Sequence, residues 1–125
     1  MSPVGRVRSI VFECGDPRLE AEFWSAVLGR DIADREDDWW ALAHGADGPR
    51  LAFQVVDGYR APPWPGTTGE QQVHLDVEVD DLDAATTTVL GLGASTLSDV
   101  IDSDGDVWRV FADPAGHPFC LVPLR

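Results

Sequence analysis

Apolar and polar positions alternate with a period of two from Val7 to Cys14, as in a strand with two unlike faces. Ile10, Phe12 and Cys14 fall on one face; Val7, Ser9, Val11 and Glu13 fall on the other. The period changes after Gly15-Asp16-Pro17. Asp16 is placed to cap a helix, and Pro17 takes its first position, where a missing N–H costs nothing. Leu19, Phe23, Ala26 and Val27 recur at helical spacing, and Gly29 is a C-cap. Two or three short strands follow, at Asp31 to Asp34, Trp39 to Ala43 and Arg50 to Val56, with Asp47-Gly48 as a turn between the last two.

The segment Asp57 to Gly69 breaks the pattern with three prolines and three glycines in thirteen residues, and reads as a linker. The pattern then restarts. Gln72 to Val79 alternates as a strand, with Val73, Leu75, Val77 and Val79 on one face and His74, Asp76 and Glu78 on the other. Asp80-Asp81 caps a helix over Leu82 to Leu92, closed by Gly93. Strands are predicted at Thr96 to Ile101, Val107 to Ala112 and Phe119 to Leu124, with turns at Asp102 to Asp106 and Asp113 to Gly116. Ser9 and Asp16 stand seven residues apart, as do their counterparts His74 and Asp81, so the two halves share one register.

The predicted fold class is α+β: two βαβββ modules forming a cupped mixed sheet with the helices on the outer face. They make a single domain over 1–125, with module 1 at about 5–56, the linker at about 57–69 and module 2 at about 70–125. The cup is then lined by the strand residues that face away from the helices. These are Ser9, Val11 and Glu13; Ala52, Gln54 and Val56; His74, Asp76 and Glu78; and Cys120 and Val122.

Charge narrows the partners. Nine basic residues against 22 acidic ones give a formal net charge of −13. That excludes a phosphate-neutralising nucleic-acid surface and docking on an anionic membrane leaflet. It favours neutral or cationic small ligands over polyanions. No apolar run approaches a membrane span, and the first residues lack the apolar core of a signal peptide, so the expected compartment is the cytoplasm. Cys14 and Cys120 are too few for a disulfide scaffold and fall on opposite sheet faces. Asp102-Ser103-Asp104-Gly105-Asp106 lacks the closing glutamate and flanking helices of a calcium loop, and reads as a hairpin turn.

The segments FECGDPRLEAEFWSAVLG, VHLDVEVDDLDAATTTVLGLGA and VFADPAGHPFCLVP, taken in order, resemble the vicinal oxygen chelate superfamily of glyoxalases, bleomycin resistance proteins and extradiol dioxygenases. A strand, a capping Asp, a helix and a Gly occur twice, and an Asp-Pro-x-Gly turn precedes the last strand, so the resemblance spans essentially the whole chain. The PFCL ending is most similar to small glyoxalase-like domain proteins. The resemblance implies paired modules around a cupped sheet and often a homodimer. It also implies a divalent metal held at four positions on the opening and closing strands. Those positions here are Ser9, Gln54, His74 and Cys120. His74 and Gln54 are usual ligand types, Ser9 is a poor one, and Cys120 is a soft donor suited to zinc. Asp76 offers a carboxylate on the same strand face as His74. Residues two apart on a strand lie about 6.6 Å apart, which makes joint ligation awkward.

The tryptophans point elsewhere. Trp39 and Trp40 are adjacent on a strand, so one faces the cup; Trp64 lies in the linker, where its ring can fold over the mouth. Either Trp108 or Arg109 faces the cup, while Trp24 is expected at a helix edge or dimer contact. Five tryptophans either line a pocket for a flat apolar ligand or fill a small core. Cys120 is either a buried apolar side chain or a nucleophile with His74 as base. The expected function is binding or sequestration of an aromatic or drug-like small molecule without a tightly bound metal, as in bleomycin resistance. The ligand-contacting residues are Ser9, Val11, Trp39, Trp40, Gln54, Trp64, His74, Asp76, Trp108 and Cys120. The alternative is a lyase, isomerase or dioxygenase-like enzyme using a divalent metal such as Zn, Ni, Mn or Fe on His74 and Gln54, with Cys120 or Asp76.

Overall fold

The computed structural model describes residues 3, 6–46, 48–65 and 73–124. The chain divides into two compact units, Met1–Arg60 and Ala61–Arg125. Among the described residues no helix is long and apolar enough to cross a membrane.

The first unit runs β1 (Ser9–Cys14), α1 (Pro17–Leu28), β2 (Ile32–Arg35), β3 (Trp39–Leu42) and β4 (Arg50–Val55). The sheet order is β1-β4-β3-β2, with β1 parallel to β4 and the other pairs antiparallel. The parallel pairing needs a long crossover, which α1 begins. Asp16 caps α1, its Oδ1 accepting from the Leu19 N–H at 3.2 Å, with Pro17 at the first turn and Gly29 left-handed at the C-terminus (φ 66°). Asp47 of the expected turn lies outside the described residues; Gly45 and Gly48, which flank it, form an isolated antiparallel bridge.

The buried face of α1 is Pro17, Glu20, Ala21, Phe23 and Trp24. This corrects the expected face: Leu19 is 52% exposed, Ala26 is exposed, and Trp24 is fully buried instead of lying at a helix edge. Residues 17, 20, 21 and 24 form a regular i, i+3, i+4, i+7 stripe, but a glutamate occupies one of its places. A reading by apolar spacing alone therefore rotates the helix. Trp24 packs edge-on against Phe12 at 5.8 Å and Phe23 at 5.2 Å, and Phe12 meets Phe53 at 5.8 Å. Phe12 and Cys14 thus turn to the helix side, as their alternation predicts.

The second unit repeats the plan: β5 (Leu75–Val79), α2 (Leu82–Leu92), β6 (Ser95–Thr96), β7 (Ile101–Ser103), β8 (Asp106–Ala112) and β9 (Pro118–Pro123). The sheet order is β5-β9-β8-β6, with β7 also on β8, and β5 again lies parallel to β9. Asp81 and Gly93 cap α2 as expected; Asp81 Oδ1 accepts from the Ala84 N–H at 3.0 Å. Phe111 and Phe119 stack at 5.7 Å in the layer between sheet and helix.

Two strands depart from expectation. Thr96 to Ile101 is not continuous, because Ser98 interrupts the ladder: its Oγ accepts from the Val110 N–H at 3.1 Å, while Leu97 and Ser98 both donate to the Val110 carbonyl. A side chain has replaced a backbone acceptor, and pairing resumes only at Ile101. The opening strand starts at Leu75, so Val73 is 79% exposed and does not join the helix-facing row. Asp102 to Asp106 is a hairpin turn with left-handed Asp104 (φ 55°) and Gly105 (φ 88°), a primed turn that matches strand twist.

Trp24→Ala should cost about 3–5 kcal/mol, the usual range for deleting a fully buried aromatic side chain. Leu19→Ala should change stability by less than about 0.5 kcal/mol, as an exposed substitution does. Urea unfolding followed by far-UV circular dichroism checks both; equal effects would restore the rotated helix face.

Candidate functional site

In the first unit, strand register puts Ser9, Val11, Trp39 and Gln54 on one sheet face. Ser9 pairs with Arg50, Val11 with Ala52, and Gln54 with both Glu13 and Trp39. Trp40 pairs with Phe53 and so lies on the opposite, helix-covered face, under the Arg35 guanidinium at 5.7 Å. Ser9 Oγ accepts from Arg50 Nε at 3.2 Å, and Arg50 Nη1 is 3.1 Å from Asp34 Oδ2. A fixed guanidinium therefore occupies the corner that the resemblance assigned to a metal ligand. Like charge disfavours a divalent cation there.

The second unit gathers the other predicted residues. One sheet face carries Asp76 on β5, Cys120 and Val122 on β9, and Trp108 and Val110 on β8. Asp76 is register partner of Cys120, and Cys120 of Val110. Over this face opens a cavity of about 810 Å³. Its lining includes Trp64, His74, Asp76, Trp108, Val110 and Cys120. That volume falls within the range of small-molecule sites. Trp108, not Arg109, faces it. Arg109 pairs with Leu121 on the helix side, lies over the Phe111 ring at 5.6 Å and donates from Nε to the Ser98 carbonyl at 3.0 Å.

Two tight turns position the walls. In the turn before β9, buried Asp113 accepts from the Ala115 N–H at 3.0 Å and the His117 N–H at 2.9 Å through Oδ1. Gly116 there has φ 88°, and a Cβ on it would stand 2.4 Å from the Ala61 Cβ. Gly116 thus lets Ala61, three residues before Trp64, pack closely on this turn, and Trp64 lines the cavity. The β7–β8 turn brings Gly105 and Asp106 to the other end of the cavity.

At the β5–β9 end, His74 Nε2 lies 3.2 Å from Asp76 Oδ1. One donor atom from each of His74, Asp76 and Cys120 lies within 4.8 Å of the other two, the one such cluster among the described residues. This corrects the expectation that Cα spacing keeps His74 and Asp76 apart. His74 precedes the strand, and its ring reaches along the face to the carboxylate. Cys120 is 7% exposed. Burial, the neighbouring Asp76 charge and a hydrogen bond to that carboxylate push its thiol up to about 11. Burial and the neighbouring carboxylate both favour the protonated thiol, which speaks for the buried apolar role of Cys120 over the nucleophile. Cys14 is likewise buried and in no disulfide, its thiol donating to the Gln54 carbonyl at 3.6 Å.

Asp106 and Val110 were missed from the sequence. The signal was present: stepping by two from Trp108 along β8 reaches both.

The sequence profile of the glyoxalase-like domain matches residues 9–122. No curated protein matches the sequence. Among solved structures, a glyoxalase/bleomycin resistance protein/dioxygenase family enzyme from Burkholderia phytofirmans superposes with a TM-score of 0.76 at 16% identity, covering 97% of this chain and 100% of its own. A glyoxalase family protein from Enterococcus faecalis gives a TM-score of 0.70 at 20% identity, covering 95% and 98%. The bleomycin-binding protein of Streptomyces verticillus, solved with copper(II)-bleomycin, gives 0.59 at 17%, covering 99% and 100%.

A thiol with a raised folded pKa stays protonated while the unfolded chain ionises, so its stabilising contribution is lost as pH rises from about 9 to about 11. The wild-type unfolding free energy from urea titrations should fall across that window, by an amount on the order of 1–2 kcal/mol once solvent screening is allowed for. The fall should be smaller in Cys120→Ala. An identical alkaline slope in both proteins would contradict the buried-thiol assignment.

Proposed function

The chain belongs to the glyoxalase-like family, within the vicinal oxygen chelate superfamily, and from that premise we propose that its second unit binds an aromatic or drug-like small molecule without a tightly held metal. The observation that carries this reading is the cavity itself: about 810 Å³, walled by Trp64, Trp108, Val110 and Val122 over the buried Cys120 thiol. Two indoles offer flat faces for stacking, and the valines exclude water from the ligand's body. His74 and Asp76 supply polar contacts at one end. The bleomycin-binding neighbour, solved with copper(II)-bleomycin, supports sequestration as a use of this fold. A homodimer and a cytoplasmic setting belong to the same reading.

A second reading rests on the His74–Asp76–Cys120 cluster. Nitrogen, oxygen and sulfur donors fit zinc in kind, with a fourth position open. Bound there, the ion would polarise a substrate oxygen. The fit is loose in two respects. Tetrahedral zinc ligands stand about 3.5 Å apart, so the donors must close in from within 4.8 Å. Cys120 must also give up a proton that burial and Asp76 hold firmly. His74 and Asp76 are exposed to competing water. These costs favour the metal-independent reading.

Aromatic ligands should quench tryptophan fluorescence saturably, equally with and without EDTA. Trp108→Ala should weaken binding about tenfold through lost stacking. Elemental analysis of the purified protein decides between the readings. Near-stoichiometric metal that disappears in His74→Ala would replace the binding reading with the metal-dependent one.

A further inference from the structure

We propose that the first unit carries a site for a phosphate group, in a cleft that shares no residue with the cavity described above. The chain has a formal net charge of −13, yet one corner of this unit reverses the sign. An open cleft of about 730 Å³ there has Arg6, Arg8, His44, Gly45 and Gly48 in its lining. Among the described residues no carboxylate lines it. Among those residues, too, the Arg6, Arg8 and His44 side chains take part in no hydrogen bond or ion pair. A third guanidinium lies flat against the same loop: a Cβ on Gly45 would stand 2.5 Å from Arg30 Cζ, 2.6 Å from Nη2 and 2.8 Å from Nη1. Glycine at this position thus admits another cation beside the cleft. Three of the nine basic residues gather at one turn. Asp47 of that turn lies outside the described residues, and its single charge is outnumbered by three guanidiniums.

The sheet holds the frame of this cleft. The Arg8 carbonyl accepts from the Arg50 N–H at 3.3 Å, so the arginine segment leads directly into the β1–β4 pairing. Gly45 and Gly48 bridge across the β3–β4 turn, and the Ala43 N–H donates to the Asp31 carbonyl at 2.8 Å. Guanidiniums gathered by the backbone repel one another, and an anion between them removes that cost. Donor geometry selects the kind of anion. Each guanidinium presents a planar fork of N–H groups, and even a neutral imidazole donates one N–H. A single fork satisfies a carboxylate. A phosphate monoester carries about −1.5 to −2 charges at neutral pH and three strong acceptor oxygens, enough for two forks and a ring N–H together. An extended polyanion stays excluded, because the positive corner is confined to one turn of an acidic chain. Arg6, Arg8 and His44 are exposed, so each contact contributes little alone, and binding weakens with salt.

Inorganic phosphate, phenyl phosphate and acetate, titrated into the full chain near neutral pH at constant ionic strength in chloride, test this. The readout is the backbone amide signals of His44, Gly45 and Gly48 in ¹H–¹⁵N spectra. Both phosphates should shift these signals saturably, with dissociation constants on the order of 1–10 mM. Tighter binding of phenyl phosphate would identify a phosphate ester as the occupant, and equal affinity would identify free phosphate; either supports the site. Arg6→Gln/Arg8→Gln should weaken binding about tenfold, and His44→Ala should weaken it too. Arg18→Gln/Arg60→Gln removes the same charge from exposed side chains elsewhere and should cost about twofold or less. Asp47→Asn should bind phosphate no more weakly than the wild type. Shifts that never saturate, or that persist undiminished in Arg6→Gln/Arg8→Gln, overturn the proposal. Equal weakening by the two double variants also overturns it, because the field of the whole chain would then set the affinity. Acetate that binds as tightly as phosphate, or weaker phosphate binding in Asp47→Asn, does the same.

Discussion

In each unit the opening strand lies parallel to the closing one, β1 on β4 and β5 on β9, and the rest follows from that pairing. Parallel neighbours cannot be joined by a tight turn, so the chain must leave the sheet and return. It leaves through a helix capped by Asp16 or Asp81, and that helix covers one sheet face. The other face is left to side chains from the two ends of the unit. The adjacency of Asp76 and Cys120, more than forty residues apart in sequence, is a product of this closure. So is the rise in the Cys120 thiol, which needs both burial in the sheet and a carboxylate on the neighbouring strand.

The halves use the same plan for different ends. In the first, the corner at Ser9 is filled by Arg50, itself tied to Asp34. In the second, the matching position carries His74, which turns toward Asp76 and leaves the sheet face open to a cavity. A guanidinium in one half and an imidazole–carboxylate pair in the other make the two faces electrostatically unlike, although their backbones repeat.

Features with local chemical causes were legible in the sequence. Both helices begin at a capping Asp and end at a left-handed Gly, and the bounds of α2 follow from Asp81 and Gly93 alone. Trp64, Asp76 and Cys120 could be nominated as cavity residues, from linker composition and strand alternation. What was hidden depends on tertiary context. Glu20 sits in the buried stripe of α1, so a count of apolar positions turns the helix the wrong way. Ser98 looks like an ordinary strand residue until its hydroxyl takes a ladder hydrogen bond from Val110. The meeting of His74 with Asp76 depends on where the strand begins, and strand ends are weakly encoded.

The approach of Gly116 to Ala61 has an evolutionary consequence. It packs Ala61, three residues before Trp64, against the turn before β9, outside the hydrogen-bonded sheet. Residues 62–65 lie in no strand and can change without disturbing strand pairing, whereas Trp108 is embedded in β8 between Val107 and Arg109, both of which serve the ladder. One aromatic wall is therefore free to drift and the other is not. A lineage carrying this architecture can explore new ligands through the short stretch around Trp64 while its folding stability, held by the sheet, is inherited unchanged.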